Sequence, residues 1–379
     1  MIFVLADDLT GAAELAGMAH ALGLRTNLYT QPVKDRDADV VVYNVDSRSL
    51  SIDQALERTR LFHEVLHFQP GDLLYKKTDS VLRGYITEEL NLALKYLQLN
   101  RVLFLPANPS LHRTIQNGLY YVNRVVLNET IFARDPEFPR TSARVGELLT
   151  GPLPVHSVAS ISSQSGILIP DAISTADVQN WAEQTINDPF LAGAGDFFQE
   201  ILNTRLRRQL PNMPVPQPLK PFVFLAGTSL HAGKDEIWGI SRSDERLLEI
   251  TDDHLNGKGL IELEHLFTSI LQKHAKVILA FPKKLERTYT ALHLRTRMTE
   301  ILRHLLHQTA VAEVFVEGGS TAQALLENQS DRWEVDAVYN RGVIRLLSDN
   351  VRISMKPGSY PLGASLQVFL TNSDPRIGP

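Results

Sequence analysis

The sequence predicts an α/β protein of two domains, each built on a mainly parallel sheet, with an interdomain cleft. Three observations support this prediction: the chain has 379 residues, apolar strand-like runs alternate with helical periodicity in both halves, and a proline-rich stretch separates those halves. A chain of this length exceeds one ordinary core, since domains usually hold about 100–200 residues. Continuous apolar strands that alternate with helices are typical of a parallel sheet covered on both faces.

The first half of the chain supplies a series of strand–helix units. Short apolar runs predict strands at 2–6, 38–44, 72–77, 101–107 and 166–172. Apolar residues at helical spacing predict helices from Gly11 to a cap at Gly23, and at 51–67, 86–97 and 176–186. The stretch 108–150 is less regular and predicts a long excursion of loops and short strands, a kind of segment that is often functional.

The second half repeats the alternation after a linker. Five prolines fall in the segment PNMPVPQPLKP at 211–221, which has almost no periodicity and is typical of an interdomain connection. Beyond it, strands are predicted at 222–227, 247–251, 275–281, 312–319 and 351–356, with helices at 258–274 and 287–308. We therefore place the two domains at residues 1–212 and 213–379.

Composition narrows the classes of function. The chain contains no cysteine, which excludes disulfides, thiolate catalysis and cysteine-ligated metal centres. The formal net charge is −5 and no long basic run occurs, which argues against a nucleic-acid partner. The apolar start at 2–6 is short for a signal peptide, and no window approaches the roughly 20 apolar residues of a membrane span. We expect a cytoplasmic protein with small-molecule partners and no membrane, and the sequence leaves homo-oligomerisation open.

Two adjacent aspartates follow the first predicted strand, in the segment ADDLTG at 6–11. Ligands of open parallel sheets bind outside the carboxyl ends of the strands. The carboxylates of Asp7 and Asp8 are unfavourable there unless a hydroxyl, a metal ion or a basic side chain relieves them, and the helix start that follows suits an anion. The competing interpretation is a helix cap formed by Asp8 or Thr10. Spacing alone leaves both interpretations open.

A denser polar cluster, KKTDSVLRG at 76–84, follows the third predicted strand. Arg83 can clamp a carboxylate through two hydrogen bonds, and Lys77 can supply a point charge. Asp79 can hold or deprotonate a hydroxyl group. Arg48 follows the second strand and is expected at the same edge. The competing interpretation is a solvated loop with local ion pairs.

Three turns rich in glycine, serine and threonine follow strands in the second half. In GGST at 318–321 the glycines allow phosphate to approach the backbone, and Ser320 with Gln323 matches a capping box. The other two turns are GTS at 227–229 and KPGS at 356–359. Together they predict a phosphate or nucleotide cradle, although no Walker A motif and no GxGxxG pattern occurs.

Two further patterns compete with this interpretation. HEVLH at 63–67 fits the zinc-protease pattern HExxH, and Glu88 lies at a distance that suits a third ligand. His63 shares a face with apolar residues, however, so a packed crossover helix also explains it. GAGD at 193–196 resembles the turn of ribokinase-type kinases, but no companion N-terminal glycine pair occurs, which favours a structural turn. A zinc-dependent hydrolase that uses His63 and His67 is the alternative function.

The ordered motifs resemble the four-carbon acid sugar kinase family, formerly a domain of unknown function. The family pattern ADD-TG stands here as ADDLTG at 6–11, and K-DS-LRG stands as KTDSVLRG at 77–84. The other matching segments are PANP at 106–109, RT at 113–114, GLYYVN at 118–123, LNETIFARDP at 127–136 and GGSTA at 318–322. The resemblance spans nearly the whole chain, and its specificity lies in the ordered set.

This resemblance implies a sugar-acid-binding domain at 1–212, a nucleotide-binding domain at 213–379, and transfer of the γ-phosphoryl group of ATP to a terminal hydroxyl of an acid such as threonate or erythronate. It implies that the acid is held by Asp8, Arg48, Lys77, Thr78, Asp79 and Ser80. It implies that ATP is held by Ser229, Gly318, Gly319, Ser320, Thr321 and Gly358.

Asp8, Asp79 and Arg83 are the candidate catalytic residues, and the choice between the two aspartates as base stays open. Mg²⁺ is inferred from the chemistry of phosphoryl transfer. Two departures from the family pattern occur: KPGSYP at 356–361 replaces the usual K-G-FG turn, and Glu14 stands where aspartate is common. A non-catalytic nucleotide-binding protein of the same fold is a further alternative.

Overall fold

A computed structural model describes residues 1–161, 163–206, 216–227, 231–307, 309–327, 329–349, 351–358 and 360–372. The chain divides into two units, residues 1–212 and residues 213–379. Each unit contains a mostly parallel sheet flanked by helices, so the predicted α/β fold class is confirmed. No helix in these described ranges is long and apolar enough to cross a membrane.

Unit 1 begins with a buried strand that leads directly into a helix. Its strands are β1 (Ile2–Ala6), β2 (Thr26–Tyr29), β3 (Val40–Asn44), β4 (Leu73–Lys77), β5 (Arg101–Leu105), β6 (Arg113–Gln116), β7 (Leu119–Val122), β8 (Val125–Val126), β9 (Val155–Val158), β10 (Gly166–Pro170) and β11 (Phe190–Gly193). Its helices are α1 (Leu9–Ala21), α2 (Ile52–Val65), α3 (Ile86–Leu97), α4 (Val145–Leu148), α5 (Thr175–Gln184) and α6 (Gly195–Leu206).

The main sheet of unit 1 has the strand order β2-β3-β1-β4-β11-β5-β10-β9, and each adjacent pair is parallel. Residues of β3 and β4 are buried throughout, which explains the apolar character of 40–43 in β3 and 73–75 in β4. Ala6 is in register with Asn44 of β3 and with Lys77 of β4. The segments that follow these three strands therefore emerge side by side at the carboxyl edge.

The stretch 108–150 contains short strands, as its irregular pattern predicted. Strands β6, β7 and β8 form an antiparallel sheet in that order. Tyr120 of β7 is fully buried, and its hydroxyl donates to the backbone carbonyls of Ser80 and, at 3.2 Å, Pro106. The excursion is thus attached to the loops that follow β4 and β5.

Unit 2 alternates strands and helices before it ends in antiparallel strands. Its strands are β12 (Phe222–Ala226), β13 (Glu236–Ile237), β14 (Ile240–Ser241), β15 (Leu247–Glu249), β16 (Lys276–Ala280), β17 (Glu313–Glu317), β18 (Arg332–Asn340), β19 (Val343–Ser348) and β20 (Val351–Lys356). Its helices are α7 (Asp252–Leu255), α8 (Leu260–His274), α9 (Ala291–His307), α10 (Gly319–Leu326) and α11 (Ala364–Thr371).

The strand order within unit 2 is β15-β16-β12-β17-β20-β19-β18. The pairs from β15 to β20 are parallel, whereas β18, β19 and β20 form an antiparallel meander. Ala226 is in register with Ala280 and Glu317, and Glu317 is in register with Lys356. Four neighbouring strands therefore end at one level, which brings the turns that follow them together.

Candidate active-site residues

Arg48 is the centre of the polar edge of unit 1. Its guanidinium donates to both carboxylate oxygens of Asp7, at 2.9 and 2.8 Å, and to Oδ2 of Asp8 at 2.8 Å. Burial opposes the charged form of Arg48, but the carboxylates of Asp7, Asp8 and Asp79 outweigh burial and hold its pKa well above the usual value. Arg48 is therefore permanently charged and joins the segments that follow β1 and β3.

Asp8 combines a capping role with access to solvent. It is the N-cap of α1, where its Oδ1 accepts a hydrogen bond from Gly11 N at 2.9 Å. Its side chain is 25% exposed, against 4% for Asp7 and 9% for Asp79. The cap interpretation of this segment is therefore correct, and it does not exclude contact with a ligand.

Asp79 is held by a ring of donors. Its Oδ2 accepts from Val81 N at 3.0 Å and from the backbone and side chain of Arg83 at 3.2 and 3.1 Å. Its Oδ1 accepts from Arg83 Nη2 at 2.9 Å, and Arg48 lies 3.9 Å away. Burial opposes ionisation, but Arg48 and Arg83 lower the pKa of Asp79 below its usual range. Arg83 also donates to Asp135 at 3.2 Å, so two carboxylates fix it.

Lys77 and Thr78 lie beside this cluster, and each keeps hydrogen-bonding capacity for a further partner. The buried ammonium of Lys77 donates to the carbonyl of Thr78 at 2.9 Å and lies 3.7 Å from Glu14 Oε2. A Cβ on Gly11 would lie 3.1 Å from Lys77 Cγ, so the glycine leaves room for this side chain. The buried hydroxyl of Thr78 has no hydrogen-bond partner within the described part of the chain. Such an orphaned group at a sheet edge is a candidate contact for a ligand.

Residues of the 108–150 excursion complete the loop that follows β4. Arg113 donates to the hydroxyl of Ser80, and Tyr120 donates to its carbonyl. Arg140 donates to the carbonyl of Leu82 at 2.6 Å. The structure thus brings together every predicted acid-site residue, namely Asp8, Arg48, Lys77, Thr78, Asp79, Ser80 and Arg83. The sequence interpretation missed Arg113, Asp135 and Arg140, although the first two lie in segments that carry the family resemblance.

The HExxH pattern does not form a coherent zinc site. Helix α2 ends at Val65, and His67 has a left-handed backbone with φ of 45°, so the two histidines do not follow one continuous helix. His63 is buried and its Nδ1 lies 2.8 Å from Thr59 O, while Glu64 pairs with Arg60. Among the residues that the structure describes, no group of three histidine, aspartate or glutamate side chains is arranged to hold a metal ion.

The GAGD segment lies at the same carboxyl edge, and its aspartate is already occupied. Asp196, in the first turn of α6, accepts hydrogen bonds from the backbone N–H of Ser110 at 2.8 Å and from the Ser110 hydroxyl at 2.6 Å. Its own N–H donates to Asn108 Oδ1 at 3.0 Å. This geometry matches the interpretation of the segment as a structural turn.

Five of the six predicted nucleotide residues of unit 2 line one cavity of about 440 Å³. Its polar side is formed by Gly227, Gly318, Gly319, Ser320, Thr321 and Gly358, and its remaining lining by Phe281, Ala291, Leu292, Leu294, Arg295 and Met298. Ligand pockets usually measure about 300–1,000 Å³ and combine apolar walls with a few polar groups. Ser229 lies outside the described residues. Arg295 and the apolar wall were missed, because neither α9 nor the segment after β16 that contains Phe281 carries a local motif.

Glycine is required at two positions on the polar side. A Cβ on Gly227 would lie 2.7 Å from Thr321 Oγ1 and 2.9 Å from the carbonyl oxygen of Glu317. Gly318, the N-cap of α10, has a φ of 114°, which other residues rarely adopt. The start of α10 therefore faces the cavity with small residues, where a helix N-terminus favours an anion.

Comparison with known proteins gives consistent matches. The family model described as a sugar-binding N-terminal domain matches residues 2–201. A D-threonate kinase of Salmonella typhimurium is 27% identical over 360 residues, which cover 86% of this chain and 85% of that protein. A 3-oxo-tetronate kinase of Brucella melitensis is 35% identical over 149 residues, or 38% of this chain and 34% of that protein. A crystal structure of a Haemophilus influenzae protein of the DUF1537 family has a TM-score of 0.77 at 18% identity and covers 97% of this chain and 98% of its own, which supports the fold alone.

Proposed function

The chain belongs to the family of the sugar-binding N-terminal domain, and from that premise we propose that it is an ATP-dependent kinase of a four-carbon sugar acid. The relatives named as kinases of D-threonate and 3-oxo-tetronate share this reaction class and this substrate size. Unit 1 binds the acid and unit 2 binds the nucleotide. Such a metabolic kinase would work in the cytoplasm, where ATP is supplied.

The observation that carries this proposal is the convergence of three glycine turns on the cavity of unit 2. Residues 227, 318–319 and 358 come from separate parts of the chain, yet they line the same polar wall. Phosphoryl transfer needs positioning and charge neutralisation more than covalent chemistry by the protein. We assign the phosphates of ATP to the glycine wall and to Arg295, and the adenine ring to the wall that contains Phe281 and Met298. Mg²⁺ would accompany ATP through the phosphate oxygens.

The acid is assigned to the carboxyl edge of unit 1. An ammonium group has three donors, and the Thr78 carbonyl takes one of those of Lys77, so Lys77 can pair with the carboxylate of the acid. The hydroxyl of Thr78, which lacks a hydrogen-bond partner among the described residues, and the accessible carboxylate of Asp8 suit the hydroxyl groups of the acid. Asp8 would orient or deprotonate the hydroxyl that attacks the γ-phosphorus. Asp79 acts as a positioning residue, because four N–H donors from Val81 and Arg83 hold its carboxylate and its side chain is less exposed than that of Asp8.

A coupled assay of ADP release with Mg-ATP and a panel of sugar acids tests the proposal. The panel contains both enantiomers of threonate and erythronate, together with five- and six-carbon aldonic acids. We expect a four-carbon acid to stimulate ADP release and to raise the melting temperature by mass action. If no acid in the panel stimulates ADP release, the substrate assignment is wrong. ATP binding without turnover across the panel would instead favour a non-catalytic nucleotide-binding protein.

A further inference from the structure

A buried ion pair lies directly beneath the glycine cavity of unit 2. Glu317 ends β17 and Lys356 ends β20, and the two residues are in register. Lys356 Nζ lies 2.9 Å from Glu317 Oε1, and both side chains have zero exposure. A buried ion pair adds little net stability, because desolvation offsets the attraction between the charges. The position of this pair beneath the cavity therefore says more about its role than its contribution to stability does.

Neighbouring groups satisfy the remaining polar atoms of this pair. Glu317 Oε2 lies 2.7 Å from His231 Nε2, and Trp238 Nε1 donates to Glu317 Oε1 at 3.0 Å. Lys356 Nζ donates to the backbone carbonyls of Pro357 at 3.0 Å and Gly358 at 3.2 Å. With Glu317, these carbonyls take all three donors of the ammonium, so none is left for a ligand.

The same two residues hold all three glycine turns. Gly227 N donates to the carbonyl of Glu317 at 3.0 Å, and Gly318 N donates to the carbonyl of Lys356 at 2.8 Å. The third turn is held by the ammonium of Lys356 through the carbonyl of Gly358. The backbone and side chains of one buried pair thus set the relative positions of the turns that line the cavity.

We propose that Lys356, with its ammonium fixed by Glu317, is a positioning residue that shapes the Gly358 turn to receive the phosphates of a nucleoside triphosphate. Lys356 acts through the turn and does not touch the nucleotide. This inference rests on the proposed function, because it takes the cavity to be the ATP site. It assigns to Lys356 a role that the KPGS motif alone does not reveal.

The chain offers a matched control at the opposite end of the same strand. Glu313 begins β17, has zero exposure, and accepts hydrogen bonds from Tyr339 at 2.6 Å and from Arg345 at 3.3 Å. It is thus a second buried glutamate with a cationic partner, but it lies at the amino end of the strand. Removing its charge should disturb stability without reaching the glycine turns.

The test compares Lys356→Met, the double variant Lys356→Met/Glu317→Gln, and Glu313→Gln with the wild type. Melting temperature, KM for ATP and KM for the acid are measured for each. Lys356→Met alone leaves an uncompensated buried carboxylate, so its melting temperature should fall. In the double variant that charge is absent and the melting temperature should recover, but KM for ATP should stay raised by about tenfold, with KM for the acid within about twofold.

Each outcome decides the inference. A folded double variant with a wild-type KM for ATP overturns it, because the turn would then keep its shape without the ammonium. A KM for ATP that rises in Glu313→Gln by as much as in the double variant also overturns it, since any buried charge would then have the same effect. A wild-type protein that neither binds ATP nor turns it over overturns the proposed function itself, which distinguishes the two failures.

Discussion

The carboxyl edges of the two sheets differ in where their charged groups lie. In unit 1 the charged groups of Asp8, Arg48 and Lys77 lie at the level where a ligand would bind. In unit 2 that level is occupied by glycines, and the ion pair of Glu317 and Lys356 lies fully buried beneath it. Side chains of different types can match the carboxylate and the separate hydroxyl groups of a small acid. A chain of phosphates is instead matched by backbone groups that it can approach closely. Substitutions at the two edges should therefore have different kinetic signatures.

The largest expected effect is a loss of kcat without a loss of ATP affinity, and it comes from replacing Asp8. Asp8→Asn should lower kcat by about 10²–10⁴-fold, the usual range for the loss of a general base, while the affinity for ATP stays unchanged. Steady-state ADP release and calorimetric titration with ATP measure the two quantities. The control is Asp196→Asn at the same sheet edge, where an amide can still bond Ser110, and its kcat should stay within about threefold of wild type. Equal losses in the two variants would contradict the assignment of Asp8.

The next effect tests the arginine in unit 1. Arg48→Lys cannot reproduce the two-pronged contact with Asp7 and the third bond to Asp8, so KM for the acid should rise about 30-fold, or about 2 kcal/mol. KM for ATP should not change. Arg36→Lys is the matched control, since Arg36 also forms two bonds to one carboxylate, that of Asp72, which directly precedes β4. A similar rise in KM for the acid in both variants would refute a local role for Arg48.

A smaller effect is expected from the glycine wall of unit 2. Gly227→Ala places a methyl group 2.7 Å from Thr321 Oγ1 and 2.9 Å from a backbone oxygen, so the turn must shift. We expect KM for ATP to rise about tenfold, or about 1.4 kcal/mol, with KM for the acid unchanged. Gly146→Ala is the control, because nothing lies within 4 Å of its Cβ position. An unchanged KM for ATP in Gly227→Ala would mean that phosphate does not approach this turn.

The smallest effect concerns a histidine that should influence stability alone. Burial lowers the pKa of His63 from the usual 6.5 to about 4. Between these values the unfolded chain binds a proton that the folded protein excludes, so the free energy of unfolding falls as pH falls through this window. From about pH 7 to about pH 5.5 the loss should be about 1 kcal/mol. Denaturant titrations of wild type and His63→Phe at both pH values measure it.

The control is His67→Gln, which removes an exposed imidazole close to His63 in the chain. An equal pH dependence in His63→Phe and wild type would show that His63 titrates normally. In a parallel melting experiment, added zinc chloride should leave the melting temperature unchanged. The described part of unit 1 offers no three-ligand cluster around His63. A marked stabilisation by zinc would revive the hydrolase alternative.

Much of the fold could be predicted because its strands are buried on both faces. The runs that form β1, β3 and β12 are apolar enough to be predicted directly, and α3 begins and ends where its spacing indicated. Strand β11 was missed, because it has only four residues and its last residue, Gly193, was interpreted as the start of the GAGD turn. Strands β18 and β19 were also missed, although the alternating burial of β18 is a signal of a strand covered on one face.

The candidate site residues also divide into those that the sequence predicted and those that it did not. Motifs that directly follow predicted strands were found, since a parallel sheet brings the ends of its strands together. Asp135 could not be assigned a partner, because its bond to Arg83 joins residues 52 positions apart through the excursion. Lys356 was visible in the KPGS turn, but only its burial against Glu317 reveals what it holds. Sequence patterns thus predict which loops meet, and the structure is needed to tell which side chains remain available.

The position of β11 has a consequence for how unit 1 is made by the ribosome. Strands β4 and β5 do not pair with each other, and both pair with β11, which is synthesised long after them. A nascent chain therefore carries two open strand edges until residue 193 has emerged, and open edges invite wrong pairings. A chain that stopped before Phe190 would lose the strand that joins the two halves of the sheet, although every residue assigned to the acid would already be present.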